Sequence, residues 1–412
     1  MSVDKLKECN PGSCTGCGAC ANVCSKKAIT MAADPDGFLY PQVASGCVEC
    51  GACERVCPQL SGSDIRMLNR ASQGFLAVGL DKKVIQLSAS GGAFATFAKY
   101  VIEEQNGVVF GAVMGDNFFV RHQHAESVDA LMPMLGSKYV QSDVGQSFWE
   151  CRQFLEAGRK VLFSGTPCQI AGLYGFLGKC YENLITVDIV CHGVSAPTAF
   201  HQYIDWISKQ ENRRVVSYRF RNKTRYDRAG FISRVILKNG KGKCEVVYRK
   251  AELDIYYKTY LEGKLFRESC YSCPYAQENR IGDITIGDCN SYRRYQDFHP
   301  LEGSSIILLN TETGGRFWKD VADEFDYIPL DVAAEMEANG QLHQPSLRPK
   351  NHKEVRRDFA LGRFDKYEEE LLSQMKPKKK MRLWSQTHIP LKLRIKISGG
   401  VRWFENRVRH GK

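Results

Sequence analysis

Two runs of cysteine restrict what this chain can fold into more than any other feature. The first reads Cys14-Thr-Gly-Cys17-Gly-Ala-Cys20-Ala-Asn-Val-Cys24 and the second Cys47-Val-Glu-Cys50-Gly-Ala-Cys53-Glu-Arg-Val-Cys57-Pro58. Both follow C-x2-C-x2-C-x3-C. Three thiolates at that spacing wrap one corner of a 4Fe-4S cubane, while the fourth, on the following helical turn, reaches the other cluster. The spacing therefore assigns one cluster to Cys14, Cys17, Cys20 and Cys57, and a second to Cys47, Cys50, Cys53 and Cys24. Gly16, Gly18, Ala19, Gly51 and Ala52 keep the loops small, so that backbone amides can approach the inorganic sulfides. Zinc sites show two C-x2-C pairs rather than two quartets, and disulfide frameworks belong to short secreted chains. Ser25 stands where a proline often follows the fourth cysteine, and Cys9 lies outside both quartets as a spare thiol.

The quartets mark residues 1–62 as a two-cluster 4Fe-4S ferredoxin domain, which leaves most of the 412 residues for one or two further domains. With 43% hydrophobic residues there is ample material for a core. No apolar run is long enough to span a membrane, and Met1 to Glu8 carries no apolar signal region. Seventeen cysteines, an odd count that includes cluster spacings, point to a reducing cytoplasm, and exposed clusters suit an anaerobe. The net charge of +11 is concentrated in one place. Residues 376–412 hold 12 of the 57 basic residues and one of the 46 acidic ones, so the remainder is neutral.

Between the quartets, Ile29-Thr-Met31 and Asp36 to Pro41 read as two short strands about a turn. Ser61-Gly62-Ser63-Asp64 reads as the start of a linker. From Gln73 short apolar runs alternate with helical patterns, predicting strands over 75–80, 108–114, 118–122, 161–163 and 184–190. Helices are expected over 91–102, 127–134, 144–157, 167–177 and 197–209. The helix from Gly91 turns an apolar face at 94, 97, 98 and 101. An antiparallel hairpin follows, 231–238 and 244–248, with Asn239-Gly240 as a type I′ signal. The expected fold class is thus mixed α/β, or α+β, with a bacterial-type dicluster module ahead of it. Neither G-x-G-x-x-G nor G-x4-G-K-[ST] occurs, which excludes a standard dinucleotide fingerprint and a P-loop. His122 and His124 read as solvent-facing strand residues rather than a metal pair.

Four further stretches carry chemistry. Ser88-Ala-Ser90-Gly91-Gly92 precedes a helix, offering hydroxyls and bare amides either to an anion or as an ordinary cap. Phe163-Ser164-Gly165-Thr166-Pro167-Cys168-Gln169 joins a strand to a helix with proline at its first position, and places Cys168 where the dipole lowers a thiol pKa. Asp188-Ile-Val-Cys191-His192-Gly193 ends the next strand, so neighbouring strands would bring Cys168 and Cys191 to one sheet edge. Cys270-Tyr-Ser-Cys273-Pro274 reads as a redox dithiol, half a zinc site or half a cluster site, with Cys289 a further candidate.

Ser90-Gly-Gly92, Gly136-Ser-Lys-Tyr139-Val-Gln-Ser142, the Phe163 to Gly172 stretch, Cys191-His-Gly193, Cys270 to Pro274 and Gly282-Asp-Ile-Thr-Ile-Gly-Asp288 come in an order that resembles the beta subunit of coenzyme F420 hydrogenases and dehydrogenases. The resemblance covers about residues 1–300 and implies an FAD-binding domain over 73–345, followed by a helical and basic tail over 346–412. Members are iron–sulfur flavoproteins; relatives include 7-hydroxymethyl chlorophyll a reductase, and many bacterial members lie in surface-polysaccharide gene clusters. By position the resemblance implicates Ser90, Gly91, Gly92, Lys138, Ser164, Gly165 and Thr166 around FAD. Motif and count add a third 4Fe-4S cluster on Cys168, Cys191, Cys270 and Cys273. Cys289 departs from the aromatic residue relatives show after Gly-Asp; it either replaces a ligand or merely lines the site. Nothing in the sequence encodes recognition of the deazaflavin itself.

The resulting expectation is an oxidoreductase that passes electrons between ferredoxin-type clusters and a small organic or sugar-linked substrate by way of FAD. The alternative is a non-catalytic electron-transfer subunit that feeds a partner enzyme. Either way a redox partner is implied, ferredoxin or another oxidoreductase subunit. Lys138 and Thr166 are candidate donors to the flavin, and His192 a candidate proton donor. In the tail, the helix over 350–370 is expected to face solvent. Lys376-Pro-Lys-Lys-Lys380, the apolar/cationic alternation of 391–397 and Val401 to Phe404 with Trp384 and Trp403 suit an anionic membrane surface at the inner face, or an acidic partner. No nucleic-acid motif accompanies the charge.

Overall fold

Buried strands need apolar residues on both faces, and β5 (Val108–Met114) meets that demand with V-V-F-G-A-V-M. The computed structural model describes residues 12–61, 68–223, 231–295, 297–298, 300 and 303–388. Its principal sheet has eight strands. Besides β5 these are β4 (Gln73–Gly79), β6 (Val120–Ala125), β7 (Val161–Gly165), β8 (Leu184–Ile189), β13 (Ile284–Asp288), β14 (Ser305–Leu309) and β15 (Phe325–Pro329). Their order is β15-β4-β14-β13-β8-β7-β5-β6. The four central strands β13, β8, β7 and β5 are parallel, and antiparallel strands flank them on both sides. The chain is therefore mixed α/β, not doubly wound.

The cysteine module comes first. Helix Ala19–Val23 precedes an antiparallel hairpin of β1 (Ile29–Ala33) and β2 (Leu39–Val43), and the short helices Ala52–Arg55 and Pro58–Ser61 follow. Gly18 and Gly51 hold equivalent places before the two cysteine helices, at φ +79° and +69°. A side chain is strained in that region, so the two turns require glycine. The linker expected from Ser61 to Asp64 falls mostly outside the described residues. Beyond it β3 (Asn69–Arg70) pairs with β12 (Asn279–Arg280). A three-stranded sheet, β11 (Cys244–Lys250)-β10 (Ile232–Lys238)-β9 (Arg214–Arg219), completes the strands.

Two expectations are corrected here. Asn239-Gly240 is not a two-residue turn, because Lys238 pairs with Cys244 and leaves residues 239–243 as the loop. Asn239 organises it as an acceptor, its Oδ1 taking the Lys241 and Lys243 amides at 3.0 Å, while the left-handed residue is Gly242, at φ +81°. The stretch 350–370 is not one solvated helix either. It forms His352–Ala360 and Asp365–Ser373, broken near Gly362 at φ +72°. His352, Val355, Arg356, Asp358 and Phe359 are buried. Their charges pair internally: Arg356 reaches Glu268 at 3.1 Å and Asp36 at 3.5 Å, and Asp358 reaches Lys366 at 2.5 Å. Helix Glu312–Val321 ends short of Phe325, which begins β15.

The module is packed into the body of the protein. Phe38 and Tyr40 of the β1–β2 hairpin share a hydrophobic cluster with Phe200, Tyr203, Tyr256 and Phe359. Cys17 and Ala19 share another with Phe148, Phe163, Ile170 and Leu173. Helix Pro167–Leu177 is the platform, and its Gly175 lets the Val56 carbonyl approach: a Cβ there would stand 2.3 Å from that oxygen. Among the described residues no helix is long and apolar enough to cross a membrane. Gly175→Ala is expected to push the module off its platform, at a cost of about 1–3 kcal/mol. Urea unfolding of the full chain, followed by far-UV circular dichroism, measures that loss.

Candidate functional site

Parallel strands end together, and the register puts Gly165 beside Asp188 and Ile189 beside Ile286. The loops leaving β7, β8 and β13 therefore open on the same edge, where ligands settle in open α/β sheets. A cavity of about 420 Å³ lies there, within the range of small-molecule sites. Ser90, Gly92, Lys138, Ser164, Gly165 and Thr166 line it. Gly91 stands behind the wall, its amide donating to Ser305 Oγ at 2.9 Å. A Cβ on Gly91 would meet the Ala77 carbonyl at 2.2 Å, so this glycine serves close packing of the loop on β4.

Ser90 occupies the left-handed region at φ +47°, held there as its hydroxyl donates to the Asp288 carboxylate. Asp288 also pairs with Arg221 at 2.5 Å. Burial raises the Asp288 carboxyl pKa, but Arg221 and Ser90 outweigh it and hold the group below its usual value. Lys138 Nζ donates to the carbonyls of Met134, Leu135 and Gly136, at 2.6, 3.3 and 3.2 Å. Burial, with Arg219 nearby, pulls its pKa down to about 7. His192 also lines the cavity, and burial among protein atoms keeps its imidazole below the ordinary value.

The structure brings Cys14, Cys17, Cys20, Cys53 and Cys57 near one another, and Cys168, Cys191, Cys270 and Cys273 likewise. Burial raises the Cys17 thiol well above its usual value, and Cys20, Cys57 and Cys168 raise it further. Cys20, pushed up to about 12 by burial, feels Cys14, Cys57 and Cys53. Cys191 is raised by burial and then by Cys270, Cys168 and Cys273. Cys270 is pushed up to about 12 and Cys273 to about 11, burial leading in both. Helix Pro167–Leu177 joins the groups: Cys168 sits in its first turn, and Cys17 Sγ lies 2.9 Å from where a Cβ on Gly172 would stand. Cys168 and Cys191 form part of the cavity wall, as do Thr15 and Gly16 of the first cysteine loop. Cys47 and Cys50 lie at the exterior. Cys24 accepts the Ala28 amide at 3.3 Å, the kind of N–H···S contact that tunes a ligand thiolate.

Cys168 corrects one expectation. Its pKa is raised, not lowered, because desolvation exceeds what the helix terminus, Thr166 and Arg267 return. A thiol so placed ionises when a metal replaces its proton. Among the described residues no three His, Cys, Asp or Glu side chains close to the distance that one ion needs. Thiolates sharing a cubane each bind a different iron and stand further apart.

Several lining residues were not singled out from sequence. His122 was expected at the surface and is buried. Its Nε2 donates to the Ser164 carbonyl at 3.0 Å, which leaves Nδ1 to accept from Ser142 Oγ at 2.7 Å, and the ring stacks on Phe163. Burial pulls its pKa down to about 4, so the imidazole is neutral at pH 7. The period-two signal was present in Val120-Arg-His122. His124 does face outward, toward Glu150 at 3.1 Å. Gln141 and Asn339, both buried in the cavity wall, keep Nε2 and Oδ1 respectively without a hydrogen-bond partner among the described residues. Cys289 is separate: its sulfur contacts Glu335 at 3.4 Å and Ser291 at 3.6 Å, and it is absent from the cavity wall.

Residues 158–331 match the family model that describes the C-terminal part of the coenzyme F420 hydrogenase/dehydrogenase beta subunit. Residues 13–60 match the 4Fe-4S dicluster domain. No curated protein matches the chain. Among solved structures, a chain from the xenon-derivatised F420-reducing [NiFe] hydrogenase complex of Methanosarcina barkeri aligns at 18% identity and a TM-score of 0.43, over 75% of this chain and 94% of that one. Because Cys289 is engaged with Glu335, Cys289→Ala is expected to keep the full iron and sulfide content of the wild type. Colorimetric iron and sulfide assays after anaerobic purification check this, and a loss would place Cys289 among the ligands.

Proposed function

We propose, for a chain that belongs to the coenzyme F420 hydrogenase/dehydrogenase beta-subunit family and carries a 4Fe-4S dicluster domain, an iron–sulfur flavoprotein oxidoreductase whose cavity takes FAD and a small organic or sugar-linked substrate. One observation carries the reading. Cysteines lead inward from the exterior, at Cys47 and Cys50, past Cys53 to Cys14, Cys17, Cys20 and Cys57, and on to Cys168 and Cys191 in the cavity wall. Cys270 and Cys273 complete a group of four that fits a third 4Fe-4S cluster. Bound in the cavity, FAD would supply the exchange between single-electron and two-electron chemistry.

The residues present fit such a cofactor. Gln141 Nε2 and Asn339 Oδ1 offer a donor and an acceptor that the protein itself leaves unused. Ser90 and Gly92 lie where helix Ala93–Glu103 begins, and no side chain caps its first amides. Lys138 is fixed by three carbonyls, so its amine holds one place in the wall rather than reaching for a ligand. Neutral His122 holds Ser142 and Ser164 in position. His192 and the Asp288 carboxylate stand together in the wall as a pair suited to holding a substrate proton.

The family's description as a subunit favours a second reading, in which the chain relays electrons to a partner enzyme and acts on no substrate itself. Anaerobic purification with iron, sulfide and flavin counts separates the two. The first reading expects stoichiometric FAD and reoxidation of the reduced protein by an organic substrate. Clusters without flavin leave the relay. Cys191→Ser is expected to lower iron and sulfide by one cluster's worth while the signals of the dicluster domain persist; unchanged iron content removes the third cluster.

The tail is proposed as a peripheral contact with an anionic membrane. Helix Pro377–His388 presents Lys378, Lys379, Lys380 and Arg382 outward beside exposed Met381 and Trp384; the basic segment from residue 389 onward lies outside the described residues. Removing everything after Met375 is expected to abolish co-sedimentation with vesicles containing phosphatidylserine, and unchanged sedimentation refutes the contact.

A further inference from the structure

Arg267 is completely buried, yet it has no acidic partner among the described residues. Its Nε donates to the Cys14 carbonyl at 2.8 Å, and its Nη1 to the Leu39 carbonyl at 3.0 Å and Gln141 Oε1 at 3.4 Å. Nη2 points at Cys14 Sγ, 3.7 Å away. The guanidinium lies over Tyr40, 3.8 Å from the ring centroid. The chain's other enclosed arginines show what is unusual. Arg280 pairs with Asp188 at 3.1 Å, and nearly buried Arg356 with Glu268.

A buried cation without a counter-charge is strongly destabilising. Apart from the Tyr40 phenol, whose pKa burial raises, the groups around Arg267 able to supply negative charge are thiols. Besides Cys14, its charge opposes the effect of burial on both Cys168 and Cys270. It therefore stands between the first quartet and the cysteines that enclose the cavity.

We infer that Arg267 is the counter-cation shared by these two cysteine groups, and that its charge raises the reduction potential of the cluster held through Cys14. The inference rests on the iron–sulfur reading above. Reduction adds one electron to a cluster, and a fixed positive charge a few ångströms from its ligand sulfur, in a water-poor interior, stabilises the reduced state more than the oxidised one. Arg267 is a positioning and tuning residue, acting through the cluster rather than on substrate. The exposed quartet at Cys47 and Cys50 has no such neighbour among the contacts of Arg267.

The test is an EPR-monitored titration with dithionite on the full chain, reconstituted anaerobically with iron and sulfide. In Arg267→Gln the midpoint potential of the Cys14 cluster is expected to fall, and with it that of the Cys168 and Cys270 group, while the exposed cluster's stays; Arg267→Lys, which keeps the charge, falls less. Gln141→Glu, which sets a carboxylate against Arg267 and keeps its packing, lowers the same potential and carries the test if Arg267→Gln assembles no cluster. Unmoved potentials, equal shifts of the Cys14 cluster and the exposed one, or a lysine variant as low as the glutamine one overturn the inference. Iron and sulfide counts keep the outcomes apart: a wild type that binds no cluster defeats the iron–sulfur reading, whereas loaded variants with unmoved potentials defeat the role of Arg267 alone.

Discussion

Thiols crowded into a dry interior cannot all lose their protons unless positive charge replaces them, and the rest of this structure is arranged around that constraint. Cys17, Cys20, Cys191 and Cys270 are all held in the neutral form by burial and by one another. An arrangement that keeps several weak acids so close is poor for stability by itself. In the dicluster module it becomes favourable when iron takes the place of the protons, so metal binding and folding are coupled there. The 4Fe-4S dicluster match over residues 13–60 agrees with that chemistry.

The constraint explains why the cysteine module is embedded. A small module with few core residues has little apolar surface to bury. Here Phe38, Tyr40, Cys17 and Ala19 extend two clusters whose other members come from the central sheet and its helices. The same docking places the Cys14–Cys17 loop in the cavity wall. Arg356 reinforces it from the far end of the chain by joining Asp36 to Glu268. Rigid packing on both sides fixes the separation between the cysteine groups.

Particular residues show where sequence reasoning succeeds. The helix Pro167–Leu177 and the strand Val108–Met114 were legible to the residue, because proline, glycine and an unbroken apolar run are local signals. The spacing of the quartets was equally legible. Failures came where a distant partner decided the matter. His122 is buried because Ser142 and Ser164 satisfy both ring nitrogens, and neither is near it in sequence. Residues 350–370 carry many charges, yet one face is buried because Glu268, Asp36 and Lys366 supply partners. Asn239-Gly240 failed for a different reason: the strand register, set by packing, left a loop too long for a two-residue turn.

The sequence by itself determined the ligand chemistry, the α/β rhythm and the neighbourhood of the Ser90, Ser164 and Cys191 motifs, since each is written in contiguous residues. Only the tertiary structure decided which cysteines share an environment, which side chains close the cavity, and that Arg267 lies against Cys14 across 253 positions of chain. The reason is physical. Desolvation and Coulomb interactions depend on distance in space and on exclusion of water, and neither exists until the sheet, the module and the helices have packed.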